Sequence, residues 1–283
     1  MFPAMPKFLE LLTNGMKTRA GDMGNRDDRA ALQETAAFLA EYASLQLGCG
    51  STCIRIEKNT RRMAEAFGMD LGIFIMPDNV TVSVWKGDRA LAETAQRETA
   101  HCGISFDLNT RLSRLSWKVA DNGLDLHSAA ERFERIKTTT KPTGKWEVLI
   151  LTSFANAAFC RLFGGDWFAM LIVFFSTLAG YRLKQIMLED GRDVRLTFLC
   201  ASFFSASISA GGHIFNIGST PELALGTSVL YLIPGVPYIN AVSDMIYRHY
   251  LCAFSRFFDA AVLTACLSAG LCAGMLMLGL KWF

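Results

Sequence analysis

The chain has 283 residues, 51% hydrophobic and 19% charged, with a formal net charge of +2 and a mean hydropathy of +0.26. The near-neutral balance excludes the basic footprint of a nucleic-acid-binding protein, and the hydropathy is high for a soluble globular one. The charges are unevenly placed: through Lys145 there are 20 Lys/Arg and 18 Asp/Glu, and beyond it 8 of each. The first part therefore reads as a soluble domain and the second as membrane-embedded.

Residues 1–27 hold one short apolar stretch, Phe8 to Leu12, and are expected to form a loose arm. No apolar core followed by a small-residue cleavage site is visible there, so no signal peptide is expected. From Asp28 to Leu47, Leu32, Thr35, Phe38, Leu39, Tyr42 and Leu45 recur at three- and four-residue spacing, which predicts a helix. Gly48-Cys49-Gly50 ends it, and Ser51 is the expected cap of a second helix running to about Phe67, with Ile54, Met63, Ala66 and Phe67 facing inward. Leu71–Met76 and Val80–Trp85 are β-rich runs around the turn Pro77-Asp78-Asn79, so they predict a hairpin. Glu93–His101 is a weaker candidate for a third strand. Helices are expected near 108–122 and 127–137. Residues 28–145 thus predict an α+β domain.

Catalytic and metal chemistry find little support in this part. His101 and His127 have no nucleophile or carboxylate set around them in the sequence, and no G-x-S-x-G elbow is present. Cys49 and Cys53 lack a second Cys/His pair at zinc spacing, and the remaining cysteines fall mostly in apolar runs. The expectation is a protein that is not an enzyme and carries no metal or cofactor.

Beyond residue 146, spans are expected near 147–163, 167–185, 195–216, 222–244 and 254–280, since a hydrocarbon core of about 30 Å needs roughly 20 helical residues. The fold class is therefore an α-helical multi-pass membrane protein of about five transmembrane helices with an N-terminal cytoplasmic α+β domain. Orientation follows from flanking charge. With the front domain inside, the inner flanks hold Lys137, Lys141, Lys145, Arg182, Lys184, Arg192, Arg195, Arg248 and Arg256, against Arg161 and Lys281 outside. Five spans then put the carboxyl terminus on the periplasmic, external side.

The fourth expected span is interrupted by Pro234-Gly235-Val236-Pro237, with Asn240 and Asp244 just beyond. Prolines remove backbone hydrogen bonds where no water replaces them, so such a break persists only against protein or a hydrated cavity. Asn156, Asn240 and Asp244 are costly in lipid and should face the bundle interior. One reading is a simple kink; the other is a helix break whose freed amides and Asn240 bind a substrate carboxylate. Asp244 reads equally as a proton-coupling carboxylate or as an ordinary ion-pair partner of Arg248. Gly164-Gly165-Asp166, and His213 with Asn216, are expected to mark external helix ends.

The order of these residues resembles a known family. Ser51 to Glu57 open a helix, Phe67-Gly68 precede a hairpin, and Gly103-Ile104-Ser105 follow it; then come Phe163-Gly164-Gly165-Asp166-Trp167 and Leu232-Ile233-Pro234-Gly235-Val236-Pro237 with Asn240 and Asp244. Over about residues 30–280 this resembles the threonine/serine exporter family, in particular the YjjP-like half of its split, succinate-exporting form. The resemblance implies a bacterial inner-membrane exporter of small carboxylates or amino acids, driven by the proton gradient. It also implies a separate, small YjjB-like membrane subunit supplying the unit that full-length members carry fused. Matched position by position, it points to Gly164, Gly165, Asp166, Pro234, Gly235, Asn240 and Asp244. The expected partners are the lipid bilayer, that subunit, the substrate and further copies in an oligomer, with no nucleic acid. The rival readings are a membrane-anchored hydrolase-like enzyme and a regulatory or scaffold subunit whose partner carries the path.

Overall fold

The computed structural model describes residues 28–87, 91–100, 102–140, 143–215 and 217–279. The expected arm 1–27, together with His101 and Asn216, lies outside the described residues. The chain divides into two compact units: one takes the residues up to Thr140 together with Ser243–Cys252, and the other takes Lys141–Val242 and Ala253 onward.

In the first unit, helix α1 (28–48) buries Leu32, Thr35, Phe38, Leu39, Tyr42 and Leu45, the stripe its spacing predicts. Helix α2 is Cys53–Ala66. Its N-cap is Thr52, not Ser51, and its buried face is Cys53, Ile56, Asn59, Thr60, Met63 and Ala64. Ile54 is only partly buried and Ala66 is exposed. Polar Asn59 is accommodated inside because its Nδ2 donates to Ser113 Oγ at 3.0 Å.

Strands β1 (Asp70–Ile75), β2 (Asn79–Trp85) and β3 (Ala92–Glu98) form an antiparallel meander, with Val82 opposite Ile73 and Ala95. Along β2 the alternation is strict: Val80, Val82 and Val84 are fully buried. Each such burial is worth about 1.5–3 kcal/mol. The other face is polar, with Ser83 Oγ and Thr94 Oγ1 2.8 Å apart. The edge strand β3 carries Glu93, Gln96, Arg97 and Glu98, which disfavours pairing with another chain.

Helix α3 (Phe106–Asn122) starts two residues earlier than expected because the Ser105 hydroxyl accepts the Leu108 N–H at 3.3 Å, and it ends at Gly123 with φ 59°. Helix α4 (Leu126–Thr139) follows. Phe133 from α4 meets Phe38 edge-on, ring centroids 5.7 Å apart, and Tyr42 donates its hydroxyl to Leu112 O at 2.9 Å. Burial raises the Tyr42 phenol's pKa, so it stays a neutral donor.

Beyond Thr140 the chain is helical: α5 (Lys145–Leu162), α6 (Trp167–Glu189), α7 (Val194–Ile214), α8 (Pro221–Thr227), a single 3-10 turn (Leu230–Leu232), α9 (Gly235–Ile246) and α10 (Tyr250–Met277), the end of α9 and the start of α10 belonging to the first unit and the rest to the second. Among the described residues, α6, α7 and α10 are long and apolar enough to cross a membrane. The pair Pro221–Leu232 and Gly235–Ile246, bent by 60°, makes a fourth if counted as one span. The remaining expected span, 147–163, corresponds to α5. At 18 residues and about 27 Å it is long enough, but it includes Lys145, Glu147 and Arg161, so its composition does not mark it as a span.

The residue distribution in this unit is inverted relative to a water-soluble bundle. Ser153, Asn156, Ser176, Thr177, Ser202, Ser205 and Ser209 are buried, while Phe154, Trp167, Phe168, Leu171, Phe175, Phe254 and Phe258 are more than half exposed. Small and hydroxylated residues inside with large apolar ones outside are what helices packing within lipid require. At Gly270 an added Cβ would lie 1.9 Å from Ser202 Oγ and 2.4 Å from Leu199 O, so α7 and α10 approach there at backbone distance.

Candidate functional site

The break in the fourth apolar segment is built by the chain's own rules. Helix α8 ends at Thr227, the backbone tightens into the 3-10 turn, and Ile233 goes extended at ψ 123°, as a residue preceding proline must. Pro234 has no N–H to offer, and α9 restarts at Gly235. Pro237 is the third residue of α9, where amide groups have no intrahelical acceptor, so it is tolerated without further disruption. The two prolines therefore bracket a restart instead of breaking one continuous helix twice. A Cβ on Gly235 would meet no atom within 4 Å.

Helix α8's end leaves carbonyls without intrahelical partners. One of them, Thr227 O, accepts Asn156 Nδ2 from α5 at 3.1 Å, and the same amide nitrogen donates to Thr177 Oγ1 on α6 at 2.6 Å. Asn156 is 3% exposed. It thus ties three elements at the point where the backbone unwinds. Beside it lies a cavity of about 420 Å³ lined by Thr152, Ala155, Asn156, Phe159, Phe163, Leu230, Tyr231 and Ile233. Of the residues singled out from the sequence as path-forming, Asn156 lines this cavity. Pro234, Gly235, Pro237 and Asn240 do not, and Asn240 is a buried residue on α9.

Sequence reasoning passed over Tyr231. Its hydroxyl lies 2.9 Å from Ser205 Oγ, which donates to Ser176 O at 3.1 Å; with the serine proton so used, Tyr231 donates. Gly180 makes room for the pair, since a Cβ there would lie 1.9 Å from Ser205 Oγ and 2.3 Å from Tyr231 Oη. A tyrosine in an apolar run gave no signal.

The supporting residues are turn-formers. Asp166 caps α6, accepting Ala169 N–H at 2.7 Å, and also accepts the Ser219 N–H and hydroxyl, while its own N–H donates to Thr220 Oγ1 at 2.9 Å. These bonds join the α5–α6 turn to the α7–α8 turn. Gly164 sits at φ 94°, and a Cβ on Gly165 would lie 2.5 Å from Cys160 Sγ and 2.8 Å from Cys160 O. His213 is in the last turn of α7 and only partly buried.

Asp244 belongs to the first unit, with the segment Ser243–Cys252. It is fully buried, and its Oδ1 accepts the Cys53 N–H at 2.8 Å while Oδ2 accepts the Cys53 thiol at 3.4 Å. The carboxylate therefore sits at the positive end of α2, whose own N-cap side chain makes no capping hydrogen bond. Two further contacts hold the segment: His249 Nε2 lies 3.5 Å from Glu57 Oε2, and the Cys252 thiol donates to Ile75 O at 3.4 Å. Arg248, at φ 66°, turns the chain between α9 and α10.

Apolar helices with a polar buried seam, one of them discontinuous beside a cavity, define a multi-pass membrane protein of transporter type. Residues 37–278 match the family described as "Putative threonine/serine exporter", and the chain belongs to that family. Among similar proteins, the "Probable succinate transporter subunit YjjP" of Klebsiella aerogenes is 26% identical over 258 residues, 90% of this chain and 98% of that one. The protein of the same description in Escherichia coli K12 is 26% identical over 236 residues, covering 82% and 90%. A "Probable threonine/serine exporter" of Mycobacterium tuberculosis is 18% identical over 230 residues, 81% of this chain but 43% of the longer protein. No solved structure gave a significant match.

Proposed function

We propose that this chain is one subunit of a two-component bacterial inner-membrane exporter of small carboxylates, of the succinate class. It works with a small YjjB-like membrane subunit and is driven by the proton gradient. The observation that carries the reading is the discontinuous α8–α9 segment whose freed Thr227 carbonyl is held by buried Asn156 beside a cavity of about 420 Å³. The substrate path runs along this break, with Asn156 and Asn240 as its polar residues and Pro234, Gly235 and Pro237 holding the backbone open. Two relatives matched over nearly their whole length carry names of succinate transporter subunits, which supports the substrate class and the need for a partner. With α5 counted as a span, the excess of Lys and Arg on the flanks beside the first unit supports a cytoplasmic side for that unit.

Threonine or serine is the second reading. It is favoured by the cavity lining, where Thr152, Asn156 and Tyr231 offer neutral hydrogen-bonding groups and no Lys or Arg appears. Proteoliposomes holding the full chain, with and without the partner, loaded with succinate or threonine and given an imposed pH gradient, test both. Succinate efflux that needs the partner and collapses with the gradient is the expected result. An Asn240→Ala protein that inserts and assembles should lose efflux; efflux at the original rate would remove Asn240 from the path.

A further inference from the structure

The first unit carries a second cavity, of about 560 Å³, in the groove between α3 and α4. Arg111, Arg114 and Lys118 reach it from α3 at spacings that place them on one helix face; Ser128, Arg132 and Arg135 do the same from α4. Leu115 and Ile136 also line it. Five cations and two carboxylates, Asp107 and Glu131, line the groove, a formal +3 that exceeds the +2 of the entire chain. The carboxylates are already engaged on their own helices: Asp107 with Arg111 and Glu131 with Arg135, each at 2.9 Å. Arg114, Lys118 and Arg132 have no carboxylate within ion-pair distance among the described residues. Like charges spaced three and four residues apart on a helix are mildly destabilising, a cost that a bound anion would relieve.

We propose that this groove binds a phosphate ligand, either a free polyphosphate or nucleotide or the phosphate headgroup of an anionic lipid. The three cations without carboxylate partners match a polyphosphate better than a dicarboxylate, which carries only two charges. Arginine forks bind phosphate oxygens bidentately, and Ser128 adds a neutral hydrogen-bonding group at the rim. The volume falls within the range of small-ligand sites. The site lies wholly in the first unit and does not depend on the transport reading; a ligand there would make that unit a sensor.

The test uses the full chain in detergent micelles. Titration with inorganic pyrophosphate and with ATP, followed by calorimetry, should show saturable binding that weakens as salt is raised. Flotation with vesicles containing phosphatidylglycerol, against vesicles of phosphatidylcholine alone, tests the lipid source. The variant Arg114→Gln/Lys118→Gln/Arg132→Gln should weaken whichever binding is seen by about tenfold or more. A control variant, Lys58→Gln/Arg61→Gln on α2, should leave it unchanged. If the triple variant is poorly folded, Lys118→Gln alone should still weaken binding. Pyrophosphate binding assigns a free phosphate ligand, and vesicle binding without it assigns a headgroup. Binding of neither, or equal weakening by the control variant, overturns the proposal.

Discussion

Replacing Asp244 separates two roles for this carboxylate. In the structure Oδ1 accepts the Cys53 N–H at 2.8 Å in a fully buried setting at the start of α2. A hydrogen bond to a charged group contributes about 1.5–3 kcal/mol net, and truncation leaves the amide without this acceptor. Asp244→Ala should therefore loosen the first turn of α2 by about 2–3 kcal/mol. At 1.4 kcal/mol per factor of ten, this is roughly 30- to 150-fold faster amide exchange where opening limits protection. Asp244→Asn keeps an acceptor oxygen but loses the charge, so it should fall between the two. Hydrogen-exchange mass spectrometry on the full chain, reading a peptide that spans the start of α2, measures this. A pure capping role also predicts that Asp244→Asn retains the pH dependence of export. Exchange unchanged within about threefold in Asp244→Ala, together with export that no longer responds to pH, would refute the capping account in favour of a proton-carrying carboxylate.

Asn156→Ala leaves the buried Thr227 carbonyl without its side-chain donor and should cost about 1–3 kcal/mol, read as a lower thermal midpoint in detergent and reduced efflux. Gly270→Ala drives a methyl to within 2.4 Å of Leu199 O, a backbone atom that cannot swing aside, and should destabilise by about 1–3 kcal/mol, whereas Gly235→Ala, with no atom within 4 Å, should be near-neutral in stability. Phe133→Ala empties a position packed on Phe38 and Tyr42 and should cost about 3–5 kcal/mol, seen as lost cooperativity in the first unit's unfolding. Hydrogen bonds from Ala169 N–H and then Ser219 N–H hold the Asp166 carboxyl below the usual carboxylate range. With the folded pKa depressed, its contribution is present above the ordinary value near 4 and is lost as pH falls through the folded one. The Asp166→Ala variant should therefore differ from the parent in thermal midpoint at neutral pH and converge with it in acid.

Much of this architecture was legible because periodicity reports burial directly. The α1 stripe, the alternating valines of β2 and the restart at Pro234 follow from spacing and from backbone chemistry that no tertiary context reverses. The α2 face was misread because Asn59 and Thr60 sit inside, satisfied by Ser113 Oγ and by the Ile56 carbonyl, and hydropathy cannot see a hydrogen bond across helices. Ser51 was a plausible cap, yet α2 begins at Cys53 under a carboxylate 191 residues away. Asn156 stood out as a polar group in an apolar run, whereas its companion Tyr231 did not, since a tyrosine is unremarkable there until its hydroxyl is placed on Ser205.

The order of residues alone determined that the chain has a charged front and an apolar rear, and that one apolar segment must break at Pro234. Both are consequences of local covalent chemistry and of what lipid can and cannot hydrogen-bond. Only the folded structure decided which groups satisfy the break, and that Asp244 closes onto α2 while Asn156 closes onto Thr227. Those pairings join positions far apart in the chain, and their partners are selected by packing, on which sequence spacing carries no information.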